Sequence, residues 1–219
     1  MRKCILFDLD GTLTESGEGI VKSVQYALEK MGKPEPDAAK LRVFIGPPLI
    51  EQFMEYSGMS RPEAEKAVVY YRERYETTGI FENRPYSGIE EMLKALKEKG
   101  CLLAVASSKP EFYVLKILEH FHIRDYFDEV VGATMDEKRT GKADVIAEAL
   151  KRLKLGEKQE NIFMVGDKAH DVIGARKTGI PCIAVSYGYG TMQELLQENP
   201  FRIVWSVDEL QALLLSLQP

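Results

Sequence analysis

Asp8 and Asp10 lie on either side of a single leucine in "ILFDLDGTLTES" (residues 5–16), where an apolar run meets two carboxylates with no basic residue between them. Like charges this close repel unless a cation offsets them. The bland alternative is a turn aspartate followed by a helix-capping one. Two further positions repeat the pattern of an apolar run ending on a polar group: Ser107 after "CLLAVA" (101–106) and Asp167 after "IFMVG" (162–166). Asp171 follows four residues later, and Lys142 opens the helical pattern "KADVIAEAL".

The elements that must position these groups alternate along the chain. Short β-rich runs at 4–7, 101–106, 129–132, 162–166 and 181–185 read as buried strands. Helical patterns separate them. One runs from Gly88 to Lys99, with a capping-box signal at Ser87 and Glu90 and a stop at Gly100, and another runs from Lys142 to Leu155, closed by Gly156. Strand then helix, repeated, implies an α/β fold with a Rossmann-like parallel sheet and helices on both faces. In such a sheet ligands bind outside the carboxyl ends of the strands. Asp8, Ser107 and Asp167 are all expected there.

Residues 16–83 interrupt the rhythm with helical stretches near 18–31, 49–57 and 61–76 and with the breaks "GKPEP" and "IGPP". They predict a small all-helical domain inserted after the first strand, leaving 1–15 and 84–219 as the core. The hinges are expected at Thr14 to Gly17 and within "FENRPYSG".

Composition narrows the function. The 219 residues are 45% hydrophobic and 29% charged, with a net charge of −5, which disfavours nucleic acid and anionic membrane as partners and points to a bound cation for any anionic substrate. Cys4, Cys101 and Cys182 show no Cys-x-x-Cys spacing and read as buried reduced thiols. The apolar run before Asp8 is too short for a signal-peptide core and there is no eighteen-residue apolar stretch, so a cytoplasmic location without membrane attachment is expected. No G-x-x-x-x-G-K-[ST] motif occurs, which excludes a P-loop enzyme.

"DLDGT", "SSK", the helix-opening lysine and "GDKAHD", in that order, resemble the four motifs of the haloacid dehalogenase superfamily. The helical insertion is similar to the cap of its phosphoglycolate phosphatase and β-phosphoglucomutase branch. The resemblance implies Asp8 as nucleophile and Asp10 as general acid and base. It implies Mg²⁺ held by Asp8, Asp10, Asp167 and Asp171, and Ser107 and Ser108 as phosphoryl-binding residues. Lys142 matches the lysine of the third motif, although proline does not follow it here, and Lys138 and Arg139 compete for the role. In the insertion, Arg42 and the stiff Gly46-Pro47-Pro48 turn, expected between two helices, are candidate substrate contacts, and the insertion as a whole is expected to act as a mobile cap.

The implied activity is hydrolysis of a small phosphomonoester, phosphoglycolate-like or a nucleoside monophosphate, by a monomer or homodimer. Asp10 argues against a dehalogenase. A phosphosugar mutase is the alternative, and a phosphoaspartate signalling receiver a weaker one. His120, His122 and His170 receive no role, and His170 reads as a surface residue. "YGYG" (187–190) is expected to be a loop packed near the site, with nothing in it that demands chemistry.

Overall fold

The computed structural model describes residues 2–135, 138–155 and 161–217. Six strands form one parallel sheet: β1 (Cys4–Phe7), β2 (Leu102–Pro110), β3 (Glu129–Ala133), β4 (Ile162–Gly166), β5 (Cys182–Val185) and β6 (Arg202–Val204). Their order is β3-β2-β1-β4-β5-β6. The chain winds outward from β1 on one side, returns to its other side at β4 and winds outward again, which puts the topological switch at β1. Register then sets the height of the functional groups: Phe7 pairs with both Val105 and Val165. Asp8, Ala106 and Gly166 are therefore level, with Ser107 and Asp167 one residue beyond.

All four side chains of β1 are buried, because a central parallel strand is covered on both faces. Alternation sends Cys4 and Leu6 toward a cluster with Val145, Ile146 and Ala149 of α6 (Lys142–Arg152) and Val172 and Ala175 of α7 (Ala169–Lys177). Ile5 and Phe7 take the opposite face, where Phe7 meets Phe127 edge-on at 6.4 Å. The remaining helices of this part are α4 (Ile89–Glu98), α5 (Glu111–His120), α8 (Met192–Gln197) and α9 (Val207–Ser216).

The chain divides into two compact units, Met1–Thr14 with Pro85–Pro219, and Glu15–Arg84. The second is helical: α1 (Gly17–Lys30), α2 (Leu49–Ser57) and α3 (Arg61–Tyr75), with 3₁₀ turns at Lys40–Phe44 and Gly79–Phe81. Its own core includes a Phe44–Phe53 pair at 4.8 Å and a Tyr71–Tyr75 stack at 5.1 Å. α3 starts on a capping box in which the Glu63 carboxylate accepts the Ser60 N–H at 2.8 Å. Among the described residues no helix is long and apolar enough to cross a membrane.

Four local expectations are corrected. β2 continues through Ser107 to Pro110, with irregular pairing to β3 after Ala106, rather than ending at residue 106. The Ser87–Glu90 capping box does not form: α4 is entered from Gly88 at φ 86°, with no side-chain cap, and Glu90 accepts from the Tyr126 hydroxyl instead. α6 closes on Lys154, at φ 53°, whose N–H reaches the Lys151 carbonyl, while the Leu155 N–H reaches that of Leu150. Gly156, expected as its stop, lies outside the described residues. The Gly46 turn, at φ 102°, separates a 3₁₀ turn from α2 rather than two α-helices. β6, a sixth strand beyond the five expected, is three residues long, below the length at which an apolar run reads as a strand.

Candidate active site

Asp8 leaves β1 with its N–H bound to the Val165 carbonyl at 2.9 Å, which extends the ladder by one residue and holds the carboxylate at the strand end. It is 4% exposed; Asp10 is 7%, Asp167 1% and Asp171 0% exposed. Four carboxylates this deeply buried demand partners. The structure supplies two lysines and a set of backbone N–H groups.

Lys142, the first residue of α6, places Nζ 2.8 Å from Asp8 Oδ1, 2.8 Å from Asp171 Oδ1 and 3.1 Å from the Ala106 carbonyl oxygen. Burial opposes its charge, but Asp171 and Asp8 outweigh burial and push its pKa up, so the ammonium is held protonated. Its stem crosses α7 at Gly174, where a Cβ would come within 2.7 Å of Lys142 Cγ. Arg139, one of the competing cations, is occupied elsewhere: it binds Glu111 at 3.2 Å and the Gly132 carbonyl at 3.1 Å.

Asp171 accepts the Lys168 N–H on Oδ2 at 3.0 Å, and although burial raises its pKa, Lys142 turns the net shift downward. Asp8 shifts the other way: burial raises it, and Lys142 offsets this only in part. Asp167 is pushed well up by burial, reinforced by the charges of Asp171 and Asp8 and opposed by the Tyr189 N–H, which donates to Oδ2 at 2.7 Å.

Asp10 carries a partner the sequence reading missed. Lys109 Nζ lies 2.6 Å from Asp10 Oδ2, with the two side chains 8% and 7% exposed. The available signal was the third residue of "SSK", on the strand beside β1. The Lys109 backbone N–H also donates to Ser107 Oγ at 3.3 Å. Asp10 Oδ1 is buried with no hydrogen-bond partner among the described residues. Ser107 is buried at the same edge and Ser108 is half-buried.

His170 is not the surface residue expected. It is half-buried with Nε2 3.8 Å from Asp171 Oδ1, and burial lowers its pKa. Asp8, His170 and Asp171 each offer one ligand atom within 4.8 Å of the others, a cluster able to hold a metal ion. Arg42 is exposed and Gly46 half-buried in the helical unit.

The family model described as haloacid dehalogenase-like hydrolase matches residues 5–185, from β1 to the end of β5. The chain belongs to the haloacid dehalogenase-like hydrolases. It is similar to a 5'-nucleotidase of Pseudomonas aeruginosa, 45% identical over 196 residues that cover 90% of this chain and 88% of that one. It is 41% identical over 186 residues to the tyrosine-protein kinase PtkA of Mycobacterium tuberculosis, covering 85% of this chain and 62% of the relative. A predicted phosphatase from Clostridium acetobutylicum superposes with a TM-score of 0.95 at 45% identity, covering 99% of this chain and 100% of that one. Within the haloacid dehalogenase-like hydrolases, the chain is a phosphatase.

Proposed function

We propose that this haloacid dehalogenase-like phosphatase hydrolyses a small phosphomonoester through an aspartyl-phosphate on Asp8, with Mg²⁺ as its cofactor. The observation that carries the reading is the buried Asp8 carboxylate at the end of the central strand, 2.8 Å from the Lys142 ammonium. An Asp8 oxygen attacks phosphorus in line, the bond to the leaving oxygen breaks, and Asp10 delivers the proton to that oxygen. Asp10, then a carboxylate, takes a proton from water, and the resulting attack on the aspartyl-phosphate releases phosphate and restores Asp8. Lys109 fixes Oδ2 of Asp10, leaving Oδ1, which has no partner, to handle the proton.

The residues fit a divalent cation. Asp8, Asp167 and Asp171 are three buried carboxylates, of which the Lys142 ammonium pairs with Asp8 and Asp171 and leaves Asp167 without an ion-pair partner among the described residues, and oxygen donors suit a hard ion such as Mg²⁺. Asp8, Asp167 and the Asp10 carbonyl would hold it. Asp171, although grouped by distance with Asp8 and His170, has both oxygens engaged, by Lys142 and by the Lys168 N–H, so its nearer role is to place Lys142 rather than to ligate the ion. When bound, the ion offsets the repulsion between carboxylate and phosphate.

A nucleoside monophosphate is the favoured substrate class, supported by the 5'-nucleotidase relative; a phosphoglycolate-like ester is the second. The site recognises a phosphoryl group common to all of these, so we assign discrimination to the helical unit, with Arg42 and Gly46 as the residues to test. The deciding experiment is a screen of phosphorylated metabolites for phosphate release in Mg²⁺, in EDTA, and in EDTA with Mg²⁺ restored. Loss and recovery are expected, and full turnover in chelated, metal-free protein refutes the metal role. Isomer formation without phosphate release would instead mark a phosphosugar mutase. Because of the PtkA relative, transfer of phosphate from ATP to protein tyrosine is the other competing outcome.

A further inference from the structure

The "YGYG" loop, residues 187–190, follows β5 and meets Asp167 in three independent ways. The Tyr189 N–H occupies Asp167 Oδ2 at 2.7 Å. A Cβ on Gly188 would collide with the Asp167 side chain and with the Gly11 carbonyl, and one on Gly190 would collide with the Asp167 carbonyl. Gly11, at φ 83°, packs against the same carboxylate. Only backbone without side chains can approach this closely.

The loop is itself anchored. The Tyr187 hydroxyl donates to the Thr12 carbonyl at 3.1 Å, although 175 residues separate them, and its ring packs edge-on against Tyr86 at 4.9 Å. Thr12 belongs to the turn that carries Asp8 and Asp10. One end of the loop is thus tied to the turn after β1, and its middle grips the carboxylate after β4.

We propose that the Tyr187–Gly190 loop is the positioning element for Asp167 as a metal ligand. With Oδ2 held by a backbone N–H, the carboxylate is fixed in orientation and Oδ1 is left to ligate the ion. The tie of Tyr187 to Thr12 keeps that ligand in register with Asp8. The inference rests on the reading of Asp167 as a ligand.

Partners that orient a metal ligand are worth roughly 10- to 100-fold in metal affinity. Calorimetric titration of Mg²⁺ into the metal-free protein should therefore show Gly188→Ala binding about tenfold or more weakly. Tyr187→Phe removes only the hydroxyl tie and should weaken binding by a smaller factor with no change in circular dichroism; if Gly188→Ala does not fold, this variant decides alone. Asp167→Asn should abolish binding. If Asp167→Asn loses Mg²⁺ while the loop variants bind as wild type, the loop proposal falls and the ligand assignment stands. If Asp167→Asn binds as wild type, both fall. A lowered kcat with unchanged Mg²⁺ affinity makes the loop a structural cover and overturns the proposal.

Discussion

Lys142 Nζ bridges two carboxylates, 2.8 Å from Asp8 Oδ1 at the end of one strand and 2.8 Å from Asp171 Oδ1 in the first turn of a helix after another. All three side chains are buried, so removal of the cation leaves two uncompensated carboxylates. Breaking a buried ion pair from one side costs about 3 to 5 kcal/mol.

Lys142→Met is accordingly expected to lose about that much stability in urea denaturation and to lose turnover with it. A second route reaches the same lysine through its packing. Gly174→Val places bulk where Lys142 Cγ already lies within 2.7 Å of a bare Cβ, and should depress kcat while every charged group remains present. Wild-type kcat in Gly174→Val, with the fold verified, would separate Lys142 placement from catalysis.

Asp8→Asn and Asp10→Asn should both fold and both lose turnover, for different reasons. The first cannot form the aspartyl-phosphate. The second is impaired in proton transfer, by roughly 10²- to 10⁴-fold, and with acetyl phosphate, whose leaving group needs little protonation, it should accumulate phosphoenzyme detectable by mass spectrometry. Phosphoenzyme in Asp8→Asn would place the nucleophile elsewhere.

The thiols should be silent in the native state. Burial, aided by Asp128 and Cys101, pushes Cys4 from 9.0 up to about 12, and burial also raises Cys101 and Cys182. The folded protein therefore holds protons that the unfolded chain releases. This contribution to stability is complete below pH 9.0 and declines as pH rises from there toward about 12. Titration with a chromogenic disulfide at pH 8 should label Cys4 and Cys182 only after denaturant is added; rapid labelling of the native protein contradicts their burial.

In the helical unit, Arg74 grips Glu82 with Nη1 at 2.8 Å and Nη2 at 3.0 Å, and this pairing holds the Glu82 carboxyl below its ordinary value. A lowered folded pKa contributes stability above the unfolded value of 4.5, lost as pH falls through the folded one. Glu82→Gln should cost about 1 to 2 kcal/mol at pH 7 and flatten the decline in melting temperature below pH 4.5. An unchanged acid limb would show that the pair does not stabilise the fold.

What was legible in the sequence was what local physics encodes. Period and breaks placed five of the strands and the helices of the insertion to within a few residues, because apolar runs and capping residues act over one element. Chemical type and chain order brought Asp8, Ser107 and Asp167 to one edge, because a parallel sheet delivers its strand ends to one side. The pairings were decided by tertiary structure. Lys109 meets Asp10 across 99 residues and Tyr187 meets Thr12 across 175, contacts that depend on β2 lying beside β1 and on β5 lying two strands away on its other side rather than on anything local. Lys142 pairs with Asp8 while Glu111 and Gly132 hold Arg139, a division that the local sequence does not encode. The same is true of the "YGYG" loop, whose glycines look like ordinary turn residues until the sheet order sets Asp167 against them.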